Sequence, residues 1–241
     1  MRIIAFIPAR SGSTRLKNKN IKLLKSRPLI YWTVRRAIEL KIFNEIIFSS
    51  DSKSYFNVLL KYLKIDKLDT SKIIFDHRNM SHSKVKSKIF DYIKNDLIKK
   101  FKMCGSDLIV QLLPTAPLRT KTSIKAAINL AKRTKKNIFS VSKYDFHISF
   151  ALLLLKKNRW KPLFNNSPLK TGNTQSQSQK EFLKPNPVVN CLWVKNTSKA
   201  NKSIYKGALA IKTNILESID IDDENDFSIV KAILKNKNIM Q

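Results

Sequence analysis

Short apolar runs alternate with amphipathic stretches over residues 2–141, and this alternation constrains the fold more than any other feature. Runs at 2–8, 45–50, 72–75, 107–113 and 137–141 read as strands. Between them, 28–40, 52–63, 85–101 and 122–133 read as helices. The first helix opens on Pro28, with Ser26 as a candidate cap and Leu29, Ile30, Val34, Ala37 and Ile38 as its apolar positions. The third places Ile89, Ile93, Leu97 and Phe101 on one face. Such alternation predicts an α/β fold, a doubly wound and mostly parallel sheet. Ligands of these sheets bind at the carboxyl ends of the strands. The loop 8–20, Asp51 and the segment 114–119 all fall there.

The pattern changes after Lys143. Residues 150–155 and 160–164 read as a hairpin about a turn at Lys157-Asn158-Arg159. Residues 165–187, rich in Asn, Ser, Gln and Pro, read as a long loop. Strands at 188–194 and 208–211 and a helix at 226–234 complete the chain, with Gly207 marking a turn. We expect one domain over 1–241 with an excursion at about 143–187. Cys104 and Cys191 lack CxxC spacing and suggest a reducing compartment. Residues 3–7 are too short an apolar run for a leader, and no run is long enough to span a membrane, so the expected location is cytoplasmic.

A formal charge of +30 raises the question of nucleic acid. The lysines, however, are spread along the whole chain, and Asn and Ile are also abundant, as an A/T-rich coding sequence produces. There is no RNP-like aromatic pattern, zinc-finger spacing or compact basic arm, so salt-dependent, non-specific attraction to polyanions is all the charge predicts. His77, His82 and His147 show no metal-ligand spacing and read as surface or pocket-wall residues.

Two constellations carry chemistry. Residues 8–20 read Pro-Ala-Arg-Ser-Gly-Ser-Thr-Arg-Leu-Lys-Asn-Lys-Asn directly after the first strand. Such a small-residue loop can turn backbone N–H groups and the cations Arg10, Arg15, Lys17 and Lys19 onto one polyphosphate. Near the other end, Asp220 and Asp222 alternate with Ile219 and Ile221. On extended backbone the two carboxylates share one side, and hard cations such as Mg²⁺ take oxygen ligands of this kind beside phosphate oxygens. Asp223 and Glu224 read as an acidic helix start. Basic loop and acidic pair together suit a Mg²⁺–nucleotide site.

The opening loop resembles the Ala-Arg-x-Gly-Ser-x-Arg…Lys-Asn signature of cytidylyltransferases that activate nonulosonic acids: the CMP-sialic acid synthetases and their pseudaminic and legionaminic relatives. Ser49-Ser50-Asp51, Leu113-Pro114-Thr115-Ala116-Pro117-Leu118-Arg119 and Ser218–Phe227 resemble three further segments of that family, in its order. The resemblance implies a Rossmann-like nucleotidyltransferase fold, CTP and a nonulosonic acid as substrates, Mg²⁺, and a homodimer formed through the 143–187 excursion. It implies that Ala9, Arg10, Ser11, Gly12, Ser13, Arg15, Lys19, Asn20, Arg78 and Gln111 bind the nucleotide. Arg10, Lys19, Asp220 and Asp222 would carry catalysis, with Asp220 and Asp222 as metal ligands and Asp220 helping to deprotonate the attacking hydroxyl. The sugar pocket would draw on Gln175, Gln177, Gln179, Lys184 and Trp193. Departures from the family pattern fall at Thr14, Lys17, Leu113 and Asn190. Two alternatives stay open: the related 3-deoxy-manno-octulosonate enzyme, and a catalytically impaired polyanion-binding protein on the same fold.

Overall fold

The computed structural model describes residues 1–79, 88–172, 181–199 and 203–235. Its core is a seven-stranded sheet of β1 (Ile3–Pro8), β4 (Glu45–Ser50), β5 (Ile73–His77), β6 (Leu108–Gln111), β7 (Ile138–Lys143), β10 (Leu183–Trp193) and β11 (Leu209–Lys212). Their spatial order is β11-β7-β10-β6-β1-β4-β5. β1 pairs in parallel with both β4 and β6, β4 with β5, and β7 with β11. Only β10 runs antiparallel, between β6 and β7. The order reverses at β1, so its carboxyl end and that of β6 flank a topological switch point.

Two faces of the sheet are covered. On one lie α1 (Leu29–Leu40), α2 (Lys53–Ile65) and α5 (Lys121–Thr134), which bury Val34, Leu59 and Ile128 against Ala5, Phe48 and Val110. On the other, α3 (Ile89–Tyr92) continues through a π turn, Ile93–Leu97, into α4 (Ile98–Lys100). These segments set Tyr92, Ile93 and Leu97 against Ile4, Phe6 and Ile109. The α2 and α5 starts are capped by Ser52 and Thr120, whose hydroxyls accept from the N–H groups of Tyr55 and Ser123.

Ser26 is not a cap. It forms, with Lys25, the positive-φ turn of a small hairpin, β2 (Leu23–Leu24) and β3 (Arg27–Pro28), and α1 starts behind Pro28 without a side-chain cap. The predicted hairpin of the excursion is present as β8 (Leu152–Leu154) and β9 (Trp160–Pro162), with Lys157 and Asn158 at positive φ. The loop expected over 165–187 is interrupted by the short helix α6 (Pro168–Thr171), and its last residues belong to β10, where a register shift between Pro185 and Asn190 accommodates the prolines. α7 (Val194–Lys199) follows β10.

Positive φ is common at non-glycine positions. Lys41 and Lys135 close α1 and α5 in the left-handed conformation, at φ 54° and 56°. Gly207, at φ 74°, makes the predicted turn.

A third apolar cluster lies beneath the carboxyl end of β1. Leu16, Leu24, Leu29, Leu118, Ile221, Phe227, Val230 and Leu234 are buried together, the last three on the closing helix α8 (Glu224–Lys235).

Candidate active site

Four chain segments meet at the switch point. The loop 9–20 leaves β1 and is tied down on three sides. Ala9 N–H donates to the Ser49 carbonyl at 2.8 Å, and the Asn20 amide donates to the Arg10 carbonyl at 2.8 Å. Ser11 gives both its N–H and its hydroxyl to Asp51, each at 2.8 Å. Tyr55, from α2, adds a hydroxyl contact to the Ser11 carbonyl at 3.3 Å. Ser11 thus anchors the loop through both of its donors. Sequence reasoning noted Asp51 only by position; its partner shows that it clamps the loop. Ser13 N–H folds back on the Ser11 carbonyl at 2.9 Å, and a Cβ built on Gly12 would meet nothing within 4 Å, which leaves open space above the loop.

The acidic segment faces this loop. Ile221 N–H donates to the Thr115 carbonyl at 2.9 Å, and Ile221 is buried in the third cluster with Ile219 packed against it. The expected alternation thus holds, and Asp220 and Asp222 point away from that cluster. Lys19 Nζ lies 2.7 Å from the Ile221 carbonyl and 3.1 Å from Asp222, while Arg15 pairs with Asp222 at 2.8 Å. Asp226 accepts from the N–H groups of Asp222 and Asp223 at 2.9 and 3.1 Å and fixes the backbone there.

Asp220 is exposed at the surface, with Thr115, Asp222 and Lys19 close around its carboxylate. Loss of bulk water raises its pKa, the Asp222 charge adds to this, and the Thr115 hydroxyl and Lys19 oppose it. Activity that needs Asp220 ionised should therefore fall away on acidification at a higher pH than an ordinary carboxylate would give. Replacing Thr115 by Val removes a hydrogen bond to the charged form, so the acid limb of kcat/KM should move further toward neutral. A limb that stays in place would remove Asp220 from the catalytic step.

Arg78 follows β5 and is buried, with its guanidinium 5.7 Å from the Tyr92 ring. Burial lowers its pKa, Asp51 opposes that and Arg10 reinforces it, which places the three charges near one another. Beneath them Asp76 is fully buried and accepts from Tyr92 at 2.7 Å and Lys100 at 2.6 Å. Asn20 is buried, and its Oδ1 has no partner among the described residues. Gln111 is buried at the end of β6 and accepts from Asn190 of β10 at 3.1 Å.

Arg119 holds a place that sequence reasoning left without a role. It is fully buried and donates to the carbonyls of Leu113, Ala116 (3.0 Å) and Pro187 (3.3 Å). It so locks the 113–119 loop against β10. Burial pushes it down to about 9, opposed by the charges of Asp220 and Glu217. Glu217, also buried, accepts from Thr120 N–H and hydroxyl at 3.0 and 3.1 Å and straps the acidic segment to α5.

The expected sugar contacts divide. Lys184 stays at the carboxyl edge, opposite Ser142, 3.5 Å from Asp145 and over the Tyr144 ring. Gln175, Gln177 and Gln179 lie outside the described residues. Trp193 does not belong to the pocket. β10 is antiparallel, so Trp193 pairs with Leu108 at the opposite end of the sheet, where it is 2% exposed and donates to the Ala131 carbonyl at 3.2 Å.

The profile of the cytidylyltransferase family matches residues 4–206. The chain belongs to that family. It is a nucleotidyltransferase by this membership. It is 29% identical over 98% of its length to a CMP-N,N'-diacetyllegionaminic acid synthase of Legionella pneumophila, of which it covers 97%. It is 28% identical, again over 98% of its length, to an N-acylneuraminate cytidylyltransferase of Escherichia coli, covering 53% of that longer protein. Among solved structures it resembles a CMP:2-keto-3-deoxy-manno-octonic acid synthetase complexed with CTP, at a TM-score of 0.65 and 13% identity over 98% of this chain and all of that one. A 4-diphosphocytidyl-2C-methyl-D-erythritol synthase gives a TM-score of 0.66 at 9% identity, over 97% and 98%. At such identities these two likenesses establish the fold alone, a Rossmann-like, mostly parallel sheet.

No helix among the described residues is long and apolar enough to cross a membrane. Nor is there, among those residues, a group of three or more His, Cys, Asp or Glu suited to a metal ion. The donor set is the carboxylate pair alone, which fits a hard divalent cation that takes its other ligands from phosphate and water.

Proposed function

We propose that this protein transfers CMP from CTP to the anomeric hydroxyl of a nonulosonic acid and releases pyrophosphate. The observation that carries the reading is the convergence of the basic loop with Asp220 and Asp222, joined by Lys19 to the Ile221 carbonyl. The legionaminic and neuraminic relatives, matched along nearly the whole chain, supply the acceptor class.

In this mechanism Arg10, Arg15, Lys19 and the Gly12–Ser13 turn hold the triphosphate, with Asn20 and Arg78 on the nucleoside side. The anomeric oxygen attacks the α-phosphorus, the bond to the β-phosphate oxygen breaks, and pyrophosphate leaves. Asp220 takes the hydroxyl proton. Asp220 and Asp222 would hold Mg²⁺, which when bound neutralises charge on the phosphates. The chain forms no covalent intermediate in this scheme; its contribution is positioning and charge compensation. Lys184, with Gln175, Gln177 and Gln179, is assigned to the sugar acid.

We assign a homodimer to the excursion. Leu152, Leu153, Leu154, Trp160, Leu163 and Phe182 are exposed there together, an apolar surface suited to a second copy.

The test incubates the protein with CTP, Mg²⁺ and a panel of nine-carbon and eight-carbon 2-keto sugar acids and follows pyrophosphate. Release with N-acylated nine-carbon acids is the expected result. Release with the octulosonate alone would replace this reading by the octulosonate enzyme, and no release at all would overturn both. Sedimentation of the same preparation should give twice the 27.8 kDa chain mass; a monomer would overturn the dimer.

A further inference from the structure

Asp222 is fully engaged by two cations of the loop that is assigned to the triphosphate. One carboxylate oxygen accepts from Lys19 Nζ at 3.1 Å, and the other pairs with Arg15 Nη2 at 2.8 Å. The Lys19 side chain is 11% exposed and also tethered to the Ile221 carbonyl, whereas that of Arg15 is 68% exposed. Asp226 pins the backbone N–H of Asp222 at 2.9 Å, so the main chain carrying this carboxylate, 36% exposed, is held in place when its partners turn away.

We infer that Asp222 is an internal stand-in for the triphosphate, a latch that polyphosphate and divalent cation open together. The inference rests on the reading of the 9–20 loop as a polyphosphate cradle. A polyphosphate arriving alone competes with Asp222 for Arg15 and Lys19. A divalent cation arriving alone must take Asp222 from those two cations. Each ligand removes the other's competitor, so their binding is positively coupled, and the coupling is reciprocal. Lys19 need only pivot about its bond to the Ile221 carbonyl, while Arg15, with a long exposed side chain, swings free. The nearby pair Lys22–Glu224, at 2.6 Å and on the exposed side, takes no part in the latch and provides a matched charge change.

The probe is inorganic tripolyphosphate, which needs neither base recognition nor transfer chemistry. In EDTA at fixed salt, calorimetry should show Asp222→Asn binding it about 10-fold more tightly than wild type, while Glu224→Gln shifts affinity by less than about 2-fold. With Mg²⁺ present, wild type should tighten about 10-fold and Asp222→Asn should gain far less. Equal shifts in the two variants would reduce the effect to general charge and overturn the latch. So would an Asp222→Asn protein that binds no more tightly than wild type without metal. In the reciprocal arm, Arg15→Gln should bind Mn²⁺ several-fold more tightly than wild type without polyphosphate, followed by the resonance of free Mn²⁺; unchanged affinity overturns the coupling. Failure of wild type to bind tripolyphosphate even with Mg²⁺ overturns the cradle itself. Failure of cytidylyl transfer leaves every arm of this test readable.

Discussion

Asp222→Asn is expected to lower kcat/KM for cytidylyl transfer by about 10³-fold at saturating Mg²⁺, on the scale of losing one preorganised charge-stabilising group at a phosphoryl centre. Asn keeps the size of the side chain and an oxygen ligand, so the local backbone, held by Asp226 and by the Ile221–Thr115 hydrogen bond, should persist. What is lost is the charge that faces Arg15, Lys19 and the proposed cation. The concentration of Mg²⁺ needed for half-maximal rate should rise as well. Pyrophosphate release measured against Mg²⁺ checks both. A variant within about 3-fold of wild type would remove Asp222 from the catalytic machinery. The expected opposite sign in metal-free tripolyphosphate binding separates this loss from misfolding.

Phe227→Ala is expected to cost roughly 3–5 kcal/mol, the usual range for truncating a buried aromatic. Phe227 is 3% exposed and packs among Leu16 of the basic loop, Leu118 of the 113–119 loop and Ile221 of the acidic segment. A cavity there loosens three of the segments that converge on the site. Turnover should therefore fall by more than the unfolded fraction explains, and the urea midpoint should drop with m unchanged. The melting temperature should fall by roughly 2–4 °C per kcal/mol for a chain of this size. Full activity per folded molecule, measured below the midpoint, would show that the cluster supports stability without positioning the site.

Much of the sheet was legible because burial imposes period on sequence. The strand predicted at 45–50 matches β4, and the helix at 122–133 differs from α5 by one residue at each end. Three features were not legible, for separate reasons. The β2–β3 hairpin turns on Lys25 and Ser26, residues that do not advertise positive φ as Gly or Asn would. Residues 183–187 carry two prolines and read as loop, yet the register shift in β10 absorbs them. Trp193 went astray because strand direction is a tertiary property: an apolar run looks the same whichever way it crosses the sheet. In the site, charged residues near sequence motifs were found, but the groups that hold the motifs in place were not given that role. Asp51 and Glu217 act on segments distant in sequence and Arg119 ties its own loop to Pro187 of β10; only the fold brings Ser11 to Asp51 or Thr120 to Glu217.

The lysines at positive φ bear on how much further change this chain can absorb. Among the described residues, Lys25, Lys41, Lys67, Lys102, Lys135 and Lys157 hold a conformation that costs a side-chain-bearing residue about 1 kcal/mol or more and glycine almost nothing. Natural domains work with a margin of only about 5–15 kcal/mol. Part of that margin is already committed at these turns and helix ends, so mutational robustness is reduced across the whole protein. Substitution by glycine at Lys41 or Lys135, which close α1 and α5 away from the carboxyl ends of the strands, is where an engineer would recover it.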